Sequence, residues 1–148
     1  AVEVVVSQPD RYVVSFAVGA EGLTWLAAGR TSGVFGGIWT APLAGGTPTP
    51  IDDAGVTTDF RGRVATLPGR VYFTSSETNS VLARPRGAGD AAVLHTGQPQ
   101  PFGLGVLGGY LVWSAGADTS GALRRSSLDG GAPELIAADQ NLPRDLAV

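Results

Sequence analysis

Pro42-Leu43-Ala44-Gly45-Gly46-Thr47-Pro48 and Ser127-Leu128-Asp129-Gly130-Gly131-Ala132-Pro133 are two copies of one turn. Each follows a short apolar run and precedes another. The paired glycines supply the positive φ angles that a tight hairpin needs. A degenerate third copy, Pro85-Arg86-Gly87-Ala88-Gly89-Asp90, lies between them. Gly46 to Gly89 is 43 positions and Gly89 to Gly131 is 42. A turn recurring at that interval makes the chain an internal repeat, and a period of about 20–50 residues marks repeat architectures.

Two further markers keep the same period. An aromatic stands inside an apolar strand in Gly22-Leu23-Thr24-Trp25, in Arg70-Val71-Tyr72-Phe73-Thr74 and in Tyr110-Leu111-Val112-Trp113-Ser114. Trp25 to Phe73 is 48 positions and Phe73 to Trp113 is 40, the first interval being stretched by a longer loop after Trp25. A Pro-containing loop also joins two strands, as in Val93-Leu94-His95, Gln98-Pro99-Gln100-Pro101 and Phe102-Gly103-Leu104-Gly105-Val106. It recurs at Leu135-Ile136-Ala137, Gln140-Asn141-Leu142-Pro143 and Leu146-Ala147-Val148, and at Val4-Val5-Val6-Ser7, Gln8-Pro9 and Tyr12-Val13-Val14-Ser15-Phe16.

Each unit therefore offers four short segments: a Pro-led strand A, an aromatic strand B, a strand C ending at the glycine turn (Ile38-Trp39-Thr40-Ala41 in the first copy) and a strand D after it. They are rich in β-branched and aromatic residues and bounded by Gly, Pro, Asp and Ser. Four antiparallel strands per repeat of about 40–45 residues is the blade of a β-propeller. The expected fold is all-β, a β-propeller fragment of about three four-stranded antiparallel blades. The approximate repeats are 2–47, 48–90 and 91–132, with a partial repeat at 133–148. Trp25, Phe73 and Trp113 are expected to pack blade against blade. No window keeps apolar residues at helical spacing, which argues against an α/β chain.

The frame begins with a strand D, Val2 to Ser7, and ends with a strand A, Leu146 to Val148, so a blade is cut at each end. The expectation is about half of a six-bladed ring that pairs with missing blades or with copies of itself. An open arc exposes apolar blade faces, which favours association.

Composition narrows the partners. Of 148 residues 43% are hydrophobic and 16% charged, as in a folded domain, and the net charge is −3. All ten basic residues are Arg, and none forms a basic run, so nucleic acid is not an expected partner. With no Cys and one His, the usual transition-metal sites and disulfides are excluded, and no cofactor is expected. No apolar run approaches the ~20 residues of a membrane span. The absence of Met points to a mature product or an excised piece.

The repeat resembles bacterial six-bladed propeller families of the TolB-like, YWTD-like and NHL-like kind. Val71-Tyr72-Phe73-Thr74 is similar to the YWTD-type strand, and Leu43 to Pro48 and Leu128 to Pro133 resemble the repeat turn. The Asp of that strand is absent after Thr74 and Ser114, and the middle copy lacks the double Gly. The resemblance implies a protein secreted by a bacterium or held in its cell envelope, one that binds another protein, a peptide or a glycan. A minority of such propellers are lyases or hydrolases.

Few residues offer chemistry. His95 ends an apolar run in a strand D, toward the outside of a propeller, and is expected at the surface. Asp52-Asp53 reads as turn chemistry. Asp118 is alone in its loop, too sparse for calcium. The Gly33 to Gly37 stretch has no following Lys-Ser/Thr, unlike a phosphate loop. Arg84, Arg86, Arg124 and Arg125 fall in corresponding regions of two successive blades, and Arg63 and Arg70 flank an A–B hairpin. The first four are the candidate binding residues, for an acidic peptide or anionic glycan held by forked guanidinium contacts. The loops Gly29–Gly37 and Ala115–Gly121 are the expected contact face. The expected function is a non-enzymatic binding or scaffold module. The alternatives are part of a propeller enzyme such as a lyase, with catalytic residues in other blades, and a lectin-like ring of several copies.

Overall fold

The computed structural model describes residues 7, 10–29, 36–52, 62–87, 89–116, 120–141, 143, 144 and 146. They form twelve strands and no helix. Blade I is β1 (Arg11–Gly19), β2 (Gly22–Gly29), β3 (Gly37–Ala41) and β4 (Thr49–Asp52). Blade II is β5 (Val64–Leu67), β6 (Arg70–Ser75), β7 (Ser80–Pro85) and β8 (Ala92–His95). Blade III is β9 (Leu104–Leu107), β10 (Tyr110–Ala115), β11 (Gly121–Ser127) and β12 (Glu134–Gln140). In each blade sequential strands pair, all antiparallel, giving three four-stranded sheets in strand order A-B-C-D. The predicted segments Val2–Val6 and Ala147–Val148 lie outside the described residues, and Ser7 and Leu146 are not in strands.

The register makes the three aromatics equivalent. Every A–B hairpin closes over two residues, at Gly19↔Gly22, Leu67↔Arg70 and Leu107↔Tyr110. Counting from those turns, Trp25, Phe73 and Trp113 are each the fourth residue of strand B and sit opposite Phe16, Val64 and Leu104 of strand A. Residues directly opposite share a face, so one face of each sheet carries the aromatic and the other the residues beside it.

Those faces build the core between blades. At the I–II junction, Leu26, Ile38 and Ile51 of blade I meet Val64, Val71 and Phe73 of blade II. At the II–III junction, Tyr72, Val81 and Ala83 of blade II meet Leu104, Leu111 and Trp113 of blade III. Phe73 and Trp113 are fully buried there, as packing residues between blades. Trp25 belongs to a separate cluster on the far face of blade I, with Leu23, Ala27, Trp39 and Ala41. Neither face of a single four-stranded sheet can be buried without a neighbour, which is why the repeats stack.

The glycine turns behave differently in the two copies. Gly45 and Gly46 both take positive φ, 84° and 139°, and the Gly45 amide donates to Pro42 O at 3.0 Å. In the last copy only Gly130 does so (φ 87°), and the Gly131 amide donates to Ser127 Oγ at 2.9 Å. The Gly130 amide keeps the backbone bond of the first copy, to Ser127 O at 3.1 Å, and the serine side chain adds a second.

Candidate functional site

The innermost strands of the three blades converge. A cavity of about 310 Å3 opens between them, lined by Val14, Ser15 and Phe16 of β1, Val64 of β5, Leu104 of β9, and Arg63 and Leu146. Phe16, Val64 and Leu104 hold the same register position, opposite the aromatic of strand B. Leu146 lies 42 positions beyond Leu104, at the repeat interval. One position of the repeat thus recurs around the cavity, although Val64 and Leu104 are themselves buried in the cores between blades.

A recurring device fixes where strand A starts. In blade II the Arg63 amide donates to Thr74 Oγ1 (2.9 Å) while the Thr74 amide donates to Arg63 O (3.0 Å). In blade III the Gly103 amide donates to Ser114 Oγ (2.7 Å) while the Ser114 amide donates to Gly103 O (3.0 Å). Thr74 and Ser114 are equivalent, and both are buried. Blade I has Leu26 at that position and a register shift between Val13 and Ser15. Its Ser15 Oγ instead accepts from the Val64 amide of blade II at 3.2 Å, tying the first two blades at the cavity wall.

The rim is cationic. The Arg63 guanidinium lies over the Phe102 ring, 4.7 Å from its centroid, and its Nη1 donates to Gly62 O at 3.2 Å. Arg144 approaches the same ring at 5.9 Å. A guanidinium over an aromatic face is attracted by the ring quadrupole and is held in orientation. Arg144 and Leu146 lie against the segment that leads into β9. A Cβ on Gly103 would stand 3.1 Å from Leu146 Cγ and from Ser114 Oγ and 3.3 Å from Arg144 O, so a side chain there would make these neighbours give by a few tenths of an ångström.

The arginines singled out from the sequence are spread over several surfaces. Arg84 sits opposite Val71 and faces blade I. Arg86 reaches blade I, where Nη1 meets Glu21 Oε2 at 3.3 Å and Nη2 donates to Thr24 Oγ1. Arg124 sits opposite Trp113, on the face toward blade II. Arg125 is on the opposite face, paired with Glu134 (Nη2 to Oε2, 2.8 Å) and lying over Tyr110 at 4.6 Å. Arg70 pairs with Asp129 of blade III. Arg63 is at the cavity.

His95 is not at the surface. It is 7% exposed, stacked on Trp113 with centroids 4.7 Å apart and planes 20° from parallel. A register shift between Val81 and Leu82 sets His95 opposite Val81, whose side chain belongs to the II–III core, and this turns the imidazole inward. Its Nε2 is 2.8 Å from Ser126 Oγ, and that hydroxyl donates to Ser127 O, so Nε2–H is the donor to Ser126. Burial lowers the His95 pKa from its ordinary value. Beside it the Trp113 indole donates to Gln98 Oε1 at 3.1 Å.

Asp52 ends β4, while Asp53, Asp118 and Gly33 to Phe35 lie outside the described residues, as does most of the Gly29–Gly37 loop. Among the described residues no group of three or more His, Asp or Glu side chains comes together as a metal site. The cavity was not singled out from sequence, although its signal was present: Phe16 to Val64 is 48 positions and Val64 to Leu104 is 40, the intervals of the aromatic ladder.

No protein-family model matches the chain, and no curated protein does. Solved structures do. A nidogen/laminin complex contains a chain similar over 95% of this one and 54% of its own length, at 20% identity and a TM-score of 0.81. A TolB structure from Agrobacterium tumefaciens matches over 77% of this chain and 42% of that one, at 14% identity and TM-score 0.60. The calcium-binding protein regucalcin from Agrobacterium tumefaciens str. C58 matches over 83% and 43%, at 19% identity and TM-score 0.57. The likeness establishes the β-propeller fold and matches the TolB-like, YWTD-like and NHL-like resemblance of the repeat. The chain spans about half the length of the structures it matches. No helix among the described residues is long and apolar enough to cross a membrane.

Proposed function

We propose that the chain is a non-catalytic binding module, and that the cavity between the innermost strands receives an apolar side chain of a peptide or protein whose neighbouring carboxylate meets Arg63. The observation that carries this reading is the convergence of Phe16, Val64, Leu104 and Leu146 on one cavity beside a guanidinium fixed over Phe102. Ligand sites are usually concave, with well-placed polar groups that fix the ligand's orientation. Phe16 is 67% exposed at the mouth, a large aromatic held against solvent. Exposed aromatics and arginines are the residues that most often dominate binding energy. A non-catalytic role is supported by His95, the one histidine, whose ring is committed to packing between blades. The resemblance to envelope and secreted propellers supports a location outside the bacterial cytoplasm.

The test is selection from a random displayed-peptide library on the immobilised chain. Peptides with an Asp or Glu next to Leu or Phe should be enriched, and Phe16→Ala and Arg63→Ala should each abolish that enrichment. Enrichment without an acidic residue, or unaffected by either substitution, contradicts the reading.

A further inference from the structure

We propose that Arg144 is a second anchor at the cavity, and that the ligand is a peptide with two acidic side chains, one held by Arg63 and one by Arg144. The inference rests on the reading of the cavity as a peptide site. Three successive repeats meet at the entrance to strand A. Arg63 precedes β5, Phe102 precedes β9, and Arg144 lies 42 positions beyond Phe102, at the repeat interval. Both guanidiniums lie over the one Phe102 ring, at 4.7 and 5.9 Å from its centroid. One ring thus gathers two positive charges, beside a cavity that Arg63 and Leu146 line. Like charges that close repel each other, and a ligand with two negative charges neutralises both.

Two other stacks in the chain show the completed form of this arrangement. Arg70 lies over Tyr72 and pairs with Asp129, and Arg125 lies over Tyr110 and pairs with Glu134. A ring holds the face of a guanidinium and leaves its N–H edge to a carboxylate. Arg144 has the ring and is exposed, but among the described residues it has no carboxylate. Arg11 over Trp39 lacks one there too, but its ring is shared with no residue of the cavity. The backbone of Arg144 is placed by its carbonyl oxygen standing against Gly103, and Leu146, two residues on, lines the cavity. Alternate residues of an extended peptide leave on one side, about 6.6 Å apart. Two guanidiniums no farther than 5.9 Å from one centroid are within reach of such a pair. The ligand class is therefore a peptide with Asp or Glu at alternate positions beside its apolar residue.

The experiment is an NMR titration of the isotope-labelled 148-residue chain, read at the arginine Nε–H signals, with acetylated and amidated probe peptides. Each has one Phe in a Gly-Ser background. One carries a Glu beside the Phe, one carries that Glu and a second two residues beyond it, and one carries a single phosphoserine in place of both. The two-Glu peptide should bind the wild type about tenfold more tightly than the one-Glu peptide, the worth of one charge-assisted pair, and should shift both the Arg63 and the Arg144 signals. That advantage should shrink with added salt. Arg144→Ala should remove the difference between the two peptides, and Arg144→Glu should prefer a peptide whose second Glu is Lys. Equal binding of the two peptides by the wild type, an advantage that survives Arg144→Ala, or a phosphoserine peptide that binds as tightly as the two-Glu peptide would each overturn the proposal. Phe16→Ala separates this proposal from the reading of the cavity. Weaker binding of both Glu peptides upholds the two together, whereas unchanged affinity with the advantage of the second Glu intact removes the cavity and keeps the arginine pair. No binding by either Glu peptide overturns both.

Discussion

The two internal junctions share one register and an apolar core, and differ in what stands beside the aromatic. Between blades I and II the middle is aliphatic and aromatic, with Leu26, Ile38, Val71 and Phe73. Between blades II and III the corresponding space holds Trp113 stacked on His95, with Gln98 accepting from the indole and Ser126 from the imidazole. The repeat dictates that an aromatic stands at the junction, and leaves open whether its neighbours are polar. A buried polar network must be satisfied throughout or it costs stability, so the II–III junction depends on several residues at once. The I–II junction depends mainly on volume.

That difference sets the order in which substitutions should hurt. Trp113→Ala should be the most damaging, at about 3–5 kcal/mol, since it leaves a large cavity, removes the ring that His95 stacks on and orphans Gln98. Phe73→Ala should fall at the lower end of the same range because no polar partner is stranded. Chemical unfolding of the two variants side by side checks the order, and equal losses would remove the distinction between the junctions.

Next come the hydroxyls that anchor strand A. Ser114→Ala and Thr74→Val each leave a buried amide without its acceptor, at about 1–3 kcal/mol. Both should be accompanied by faster hydrogen exchange at Gly103 and Arg63 respectively. Unchanged exchange at those amides would mean that the hydroxyls do not position the strands.

The junctions also differ with pH. His95 has a folded-state pKa below its ordinary 6.5, because burial disfavours the charged ring. The unfolded chain therefore binds the proton more readily, and the stability from the neutral ring is full above about pH 6.5 and lost as pH falls through the folded-state value. His95→Phe keeps the stack on Trp113, and its unfolding free energy should vary less between about pH 7 and pH 5 than that of the wild type. Identical slopes would show that another group titrates.

The smallest effect should be at the outer corners. Glu21 is exposed, and removing its pairing with Arg86 through Glu21→Gln should cost under about 1 kcal/mol. A larger loss in thermal unfolding would indicate that the corner contacts hold the blades together.

The strands, the turns and the three blades were legible in the sequence because they recur. A feature written three times, such as Trp25, Phe73 and Trp113, is separated from background by its spacing alone. What occurs once was not legible. The burial of His95 depends on a register shift in β7–β8, and nothing in Ala92-Val93-Leu94-His95 announces it. The faces on which the arginines leave their strands were not legible for a related reason. Arg124 and Arg125 are adjacent in sequence, but in a strand they leave on opposite faces, one toward blade II and the other toward Tyr110. The cavity is an intermediate case. Phe16, Val64 and Leu104 repeat at the right intervals, yet their convergence follows only from strand A being innermost in every blade.

Cavity and blade-edge arginines can be separated directly by the affinity of one selected acidic peptide. Isothermal titration would compare wild type, Phe16→Ala and the double variant Arg84→Ala/Arg124→Ala. The expected result is a loss of about tenfold or more for Phe16→Ala, the cost of roughly 1.4 kcal/mol or more at a binding hot spot. The arginine double variant should match the wild type. Retained affinity in Phe16→Ala, with loss in Arg84→Ala/Arg124→Ala, would contradict the cavity as the binding site and move the site to the blade edge.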